Sequence, residues 1–185
     1  MTATPLADDA RDHLTHARYR NQVVTLTIAL DGGQEVVWRH LVDPSLLAGW
    51  SPVVPEHGLD VAGTNRCRER EQDQWVDATV TEVRAPWFLE HRWGAEALTW
   101  QLAPSGEQTQ LHLVHELSES SMAAQMAAGW HLCLTVLRRQ LQGIDTPRCV
   151  GQDALDHGWE ELREAYAADF AERFTEEQQQ QEQRD

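Results

Sequence analysis

The chain predicts an α+β domain, with an antiparallel sheet of about seven strands curved around one long helix that follows them. Three patterns carry this. Residues 23–30 (VVTLTIAL) alternate apolar and polar, as a strand with one buried face should. Residues 56–117 form short extended runs separated by turn residues, at spacings that suit antiparallel hairpins. Residues 121–142 then place Met122, Met126, Trp130, Cys133, Leu137 and Leu141 on one helical stripe.

The elements follow in order. Residues 1–21 are polar and read as a flexible arm. The first strand ends at Asp31-Gly32-Gly33, and residues 34–42 bring Val36, Val37, His40 and Leu41 to helical spacing. Asp43 and Pro44 have the N-cap and first-position chemistry of a second short helix running to Trp50. The meander is expected over residues 56–62, 65–71, 75–83, 87–93, 97–103 and 108–117. The long helix stops where Gly143 follows Arg138 and Arg139, cations that favour the carbonyl end. Thr146-Pro147 opens a linker to an appended helix carrying Leu155, Trp159, Leu162, Tyr166 and Phe170 on one side. The expected division is an arm at 1–21, the domain at 22–145, the appended helix at 146–175 and a disordered polar tail at 176–185.

The 185 residues suit one domain with a real core. The formal charge of -15 and the scarcity of clustered cations argue against a nucleic-acid partner, which needs them to neutralise phosphates. Arg66, Arg68 and Arg70 alternate with Glu69 and Glu71 and read as a solvated strand face. No run approaches the ~20 apolar residues that span a bilayer, so membrane insertion is not expected. Three widely spaced cysteines without a secretory segment point to the cytoplasm and to reduced thiols.

Three segments resemble one family in the right order. VWRHLVDPSLLAGW (37–50) is similar to the two-helix entry with a DP-x-x-L-x-x-W bend in the Hsp90-ATPase-activator-homologue (AHSA-like) branch of the START-related helix-grip, or SRPBCC, superfamily. LTWQLAPSGEQTQLHLVHEL (98–117) resembles that branch's last hairpin, and AAGWHLCLTVLRRQLQG (127–143) its final helix. The resemblance implies a helix-grip (START/Bet v-like) fold with an apolar cavity between sheet and helix. In members of the superfamily that cavity binds lipids, polyketides or other hydrophobic compounds and sometimes acts on them.

Strand alternation places His91, Trp93, Leu98, Trp100, Leu111, Leu113 and His115 toward the concave side of the sheet. Met122, Met126, Trp130 and Cys133 of the long helix face them, and Trp50 borders the opening. These residues form the expected ligand pocket; the alternative is a closed core with each His bonded to a backbone carbonyl or to a Glu such as Glu90 or Glu116. His13/His16 and His112/His115 lack a third ligand, and residues three apart on a strand face opposite sides, so no metal is assigned. No cofactor motif and no G-x-S-x-G elbow occur, and Cys133 reads as packing.

The favoured function is non-catalytic binding of a small hydrophobic molecule, lipid-, polyketide- or aromatic-like. The alternatives are a cyclase- or hydratase-type enzyme using His91 or His115, and a chaperone-associated protein-binding module using the acidic C-terminal helix. Trp159, Tyr166 and Phe170 offer a face that docks back on the domain or pairs with a second copy in a homodimer.

Overall fold

The computed structural model describes residue 6 and residues 14–182, with side chains for residue 6 and residues 17–173. Its main sheet is six-stranded and antiparallel, in the order β1-β2-β9-β8-β7-β6. These strands are β1 (Leu14–Arg20), β2 (Val23–Asp31), β6 (Val80–Arg84), β7 (Phe88–Trp93), β8 (Glu96–Ser105) and β9 (Gln108–Glu116). A smaller sheet joins β3 (Val54–Pro55), β4 (Arg66–Arg68) and β5 (Val76–Asp77). The helices are α1 (Gln34–Val42), α2 (Pro44–Leu47), α3 (Ala123–Leu141) and α4 (Trp159–Glu182).

Register sets the core. In β2, residues alternate between half-exposed and buried, putting Val24, Leu26, Ile28 and Leu30 on one face. They pair with His115, Leu113, Leu111 and Thr109 of β9, which in turn pair with Leu98, Trp100, Leu102 and Pro104 of β8. Leu98, Leu111 and Leu113 are fully buried, and each such side chain contributes roughly 1.5–3 kcal/mol relative to exposure.

The structure departs from the sequence expectation at both ends. Leu14–Arg20, expected in the arm, is the edge strand of the main sheet, joined to β2 by Asn21 and Gln22, both at positive φ. Two consecutive left-handed residues match the right-handed twist of a hairpin, and an edge strand buries too little to show strong apolar alternation. Leu6 is buried as well, while the rest of the arm expected at 1–13 lies outside the described residues. At the other end, the helical backbone runs on to Glu182, through residues expected to be disordered tail; residues 183–185 lie outside the description. The main sheet has six strands where about seven were expected, because residues 56–62 form no strand and residues 65–71 supply only the short β4 of the separate sheet.

α3 packs on β2 with one side and on α4 with the other. From Ala127 to Leu137 only Gly129 escapes burial, so the single stripe seen in sequence understates a helix enclosed on nearly all sides. Leu162, Tyr166 and Phe170 of α4 supply the outer cover, with Phe170 reaching Tyr19 of β1 at a ring separation of 5.6 Å. The face that the sequence offered either to the domain or to a second copy is thus used within the chain. Leu155 does not join it: it sits on a 3-10 turn (Gly151–His157) and is exposed.

A hydrogen bond of 2.7 Å between Tyr166 Oη and His131 Nδ1 ties the two buried helix faces together. Tyr166→Phe leaves an imidazole nitrogen buried without that partner, so it should lower the unfolding free energy by about 1–3 kcal/mol in urea denaturation. An unchanged midpoint would show that α4 is held by apolar contact alone.

Candidate functional site

The space between sheet and long helix is occupied by tryptophans. Trp50 meets Trp100 edge-on at 6.0 Å, and Trp100 meets Trp130 at 5.3 Å and 84°. Trp93 completes the row against Trp130 at 5.7 Å and 68°. Edge-to-face contacts of this kind add to the area the rings bury. Trp50 is held from the side of the short helices, where Asp43 caps α2 through Ser45 N (2.9 Å) and the Trp50 Nε1 donates to His40 O (3.1 Å).

The indoles of Trp100 and Trp130 each find an imidazole acceptor. Trp100 Nε1 donates to His91 Nε2 at 3.0 Å, and His91 Nδ1 donates to Arg92 O at 2.9 Å. Trp130 Nε1 donates to His115 Nδ1 at 3.1 Å, and His115 Nε2 donates to Glu96 Oε2 at 2.7 Å. The two rings are therefore neutral, as opposite tautomers, with both nitrogens of each engaged. Burial pushes His91 down to about 4; burial also lowers His115, against the pull of Glu96. Glu96 itself stays below its ordinary range despite burial, because Ser118 donates to it through N (3.1 Å) and Oγ (2.9 Å).

Beside this row lies an open cavity of about 220 Å³. Trp93 at the end of β7 forms one wall, with Met126, Gly129, Trp130 and Cys133 of α3 beside it. Pro52 and Glu69 close the rim from the small-sheet side. The remaining wall is a strap from the C-terminal extension: Cys149, Val150, Gly151, Ala154 and Trp159. The strap is anchored by Arg148 Nε donating to Ser51 O (2.8 Å) and by Arg70 Nη2 donating to Val150 O (3.3 Å). Gly151 has φ +57°, a conformation that favours glycine, and a Cβ there would displace the Arg70 guanidinium.

The expected pocket residues divide accordingly. Trp93, Met126, Trp130 and Cys133 line the cavity. His91, Leu98, Trp100, Leu111, Leu113 and His115 share the inner face of the sheet but lie in the packed core, behind the indoles. Trp50 does not line this cavity; it is fully buried, edge-on against Trp100. Met122 sits half-buried on a 3-10 turn (Ser120–Met122) before α3, away from the cavity. Reading Glu90 or Glu116 as the histidine partner missed Glu96, which the turn between β7 and β8 brings under His115; Glu90 instead accepts from Thr81. His112 faces the other side of β9 and bonds Thr27 Oγ1 at 2.8 Å. Glu69 and the strap residues were also missed, because only the tertiary fold returns them to α3.

Burial raises the thiols of Cys133 and Cys149, the latter to about 11, so they stay protonated near neutral pH and lack thiolate reactivity. Cys133 Sγ points at Cys149 O, 3.7 Å away, as a weak tether of the strap.

A sheet gripping a long helix, with an apolar opening beside that helix, is the helix-grip architecture. Residues 33–142 match the family model described as Activator of Hsp90 ATPase homolog 1-like protein, and the chain belongs to that family. Among solved structures it is similar to EF2215 of Enterococcus faecalis, at TM-score 0.65 and 16% identity, covering 89% of this chain and 93% of that one. It is also similar to BPP1335 of Bordetella parapertussis, at TM-score 0.62 and 22% identity, covering 82% and 88%. CalU16 of Micromonospora echinospora matches at TM-score 0.61 and 17% identity, covering 82% and 92%. No curated protein matches the sequence.

The buried imidazoles set a pH dependence. His91 is neutral in the fold to about 4 but titrates near its ordinary 6.5 when unfolded, so the unfolded state takes up the proton first. Stability is complete above about 6.5 and falls as pH drops toward 4, by on the order of 3 kcal/mol from this residue. His91→Gln keeps an acceptor for Trp100 and removes the titration. Its urea stability should therefore vary less with pH over that window; an identical slope would remove His91 as a source of the loss.

Proposed function

We propose that the chain binds a small hydrophobic molecule in the cavity between α3 and the strap, without transforming it. The observation that carries this reading is the cavity's make-up: three indoles, a methionine and aliphatic strap residues around an opening of about 220 Å³. An apolar ligand would be held by removal of its surface from water, at about 25 cal/mol per Å², with few polar groups to orient it. Ligand pockets for drug-sized compounds span roughly 300–1,000 Å³, so the volume favours a smaller occupant than a lipid or an extended polyketide.

The engagement of both nitrogens on His91 and on His115 favours binding over acid-base catalysis, because neither ring offers a free nitrogen to a substrate. DynU16, of the dynemicin biosynthetic locus, shares the fold at TM-score 0.58 and 22% identity, over 68% of this chain and 49% of that one. That setting fits a protein that handles small molecules. Three free, buried thiols support a cytoplasmic setting.

Native mass spectrometry of freshly purified protein, followed by denaturing extraction, should reveal a co-purified apolar compound at near one-to-one stoichiometry. Ala154→Phe fills the cavity from the strap side, and it should abolish that adduct and any quenching of tryptophan fluorescence by added ligand. Empty protein that binds no member of a panel of small apolar and aromatic compounds would sink the proposal. Retention of the adduct by folded Ala154→Phe would place binding elsewhere.

A further inference from the structure

The cavity is apolar but not neutral. Glu69 is the one lining residue with a formal charge, and its side chain is 31% exposed at the rim. Its ion-pair contact is with Arg70, whose Nε stands 3.8 Å from Glu69 Oε1, beyond hydrogen-bond distance. The Arg70 guanidinium is directed instead at the strap, through Val150 O. Glu69 thus keeps acceptor capacity facing an opening walled by Trp93, Trp130 and Trp159.

The indoles are arranged as walls. Trp93 and Trp130 stand at 68° with ring centroids 5.7 Å apart, so their planes form a corner. Trp159 closes a third side, its Nε1 lying 4.0 Å from where a Cβ on Gly129 would stand; the glycine lets strap and helix approach. The Arg163 guanidinium stands 6.0 Å from the Trp159 ring centroid, at the outer limit of a cation–π contact. Indole walls together with a carboxylate favour an organic cation over a neutral molecule of the same shape. The net charge of -15 draws cations toward the opening and disfavours anions.

We propose that the occupant of this cavity is a small hydrophobic cation, a quaternary or alkylated ammonium, held by the Trp93–Trp130–Trp159 cage with Glu69 as its counter-charge. This rests on the binding reading above and narrows its ligand class.

Calorimetric titration can use three probes: choline, its uncharged isostere 3,3-dimethyl-1-butanol, and indole as a neutral aromatic. Choline should bind at least tenfold more tightly than the isostere, with quenching of tryptophan fluorescence. Glu69→Gln should bring that ratio toward one, and Trp159→Leu should weaken choline more than the isostere. If the isostere binds as well as choline, or only indole binds, the cation assignment fails and the hydrophobic-binder reading stands. If no probe binds and the purified protein is empty, both fail. Selectivity for choline that survives both substitutions overturns the assignment to this cavity.

Discussion

Much of this architecture hangs on Trp130. Its indole sits where the long helix crosses the sheet, edge-on to both Trp100 and Trp93, and its N–H must find an acceptor because no water reaches it. His115 supplies that acceptor, and Glu96 holds His115 in the tautomer that can do so. One chain of bonds thus joins the start of β8, the end of β9 and the middle of α3. Helix position over the sheet and orientation of one cavity wall are consequences of the same constraint.

The row of indoles also decides where a ligand can go. With Trp50, Trp100 and Trp130 interlocked, the space under the centre of the helix is packed core. The opening is displaced toward the first half of α3, beside Gln125, Met126 and Gly129. The strap after Cys149 then closes over that opening. Residues 33–142, the part shared with the family, supply one side of the cavity, and the extension supplies the other. The cavity is a property of domain and extension together, so the C-terminal segment has a role in the site as well as in covering α3.

Sequence patterning was enough for β2, α1, the later meander strands and α3, because each repeats its apolar residues at the period of its own geometry. The inward set Leu98, Trp100, Leu111 and Leu113 was legible for the same reason: alternation on a strand fixes which residues share a face. Gly143, at φ +74°, was legible as the stop of α3, since a left-handed residue after the last turn satisfies the helix's orphan carbonyls. β1 was not: among its described side chains, Ala17 and Tyr19 pack against the core, and the segment carries no strong apolar period.

For the candidate site, the sequence determined the ingredients: indoles and imidazoles on facing surfaces of a sheet and a helix, and an apolar extension. Tertiary structure decided what each became. Whether a buried tryptophan fills a core or walls a cavity depends on what packs on its far side, which for Trp130 is Trp100 on one hand and the strap on the other. Glu69, Cys149 and Trp159 carry no local signal of a site. Their place follows from long-range closure of the chain, a geometric fact that no periodicity along the sequence encodes.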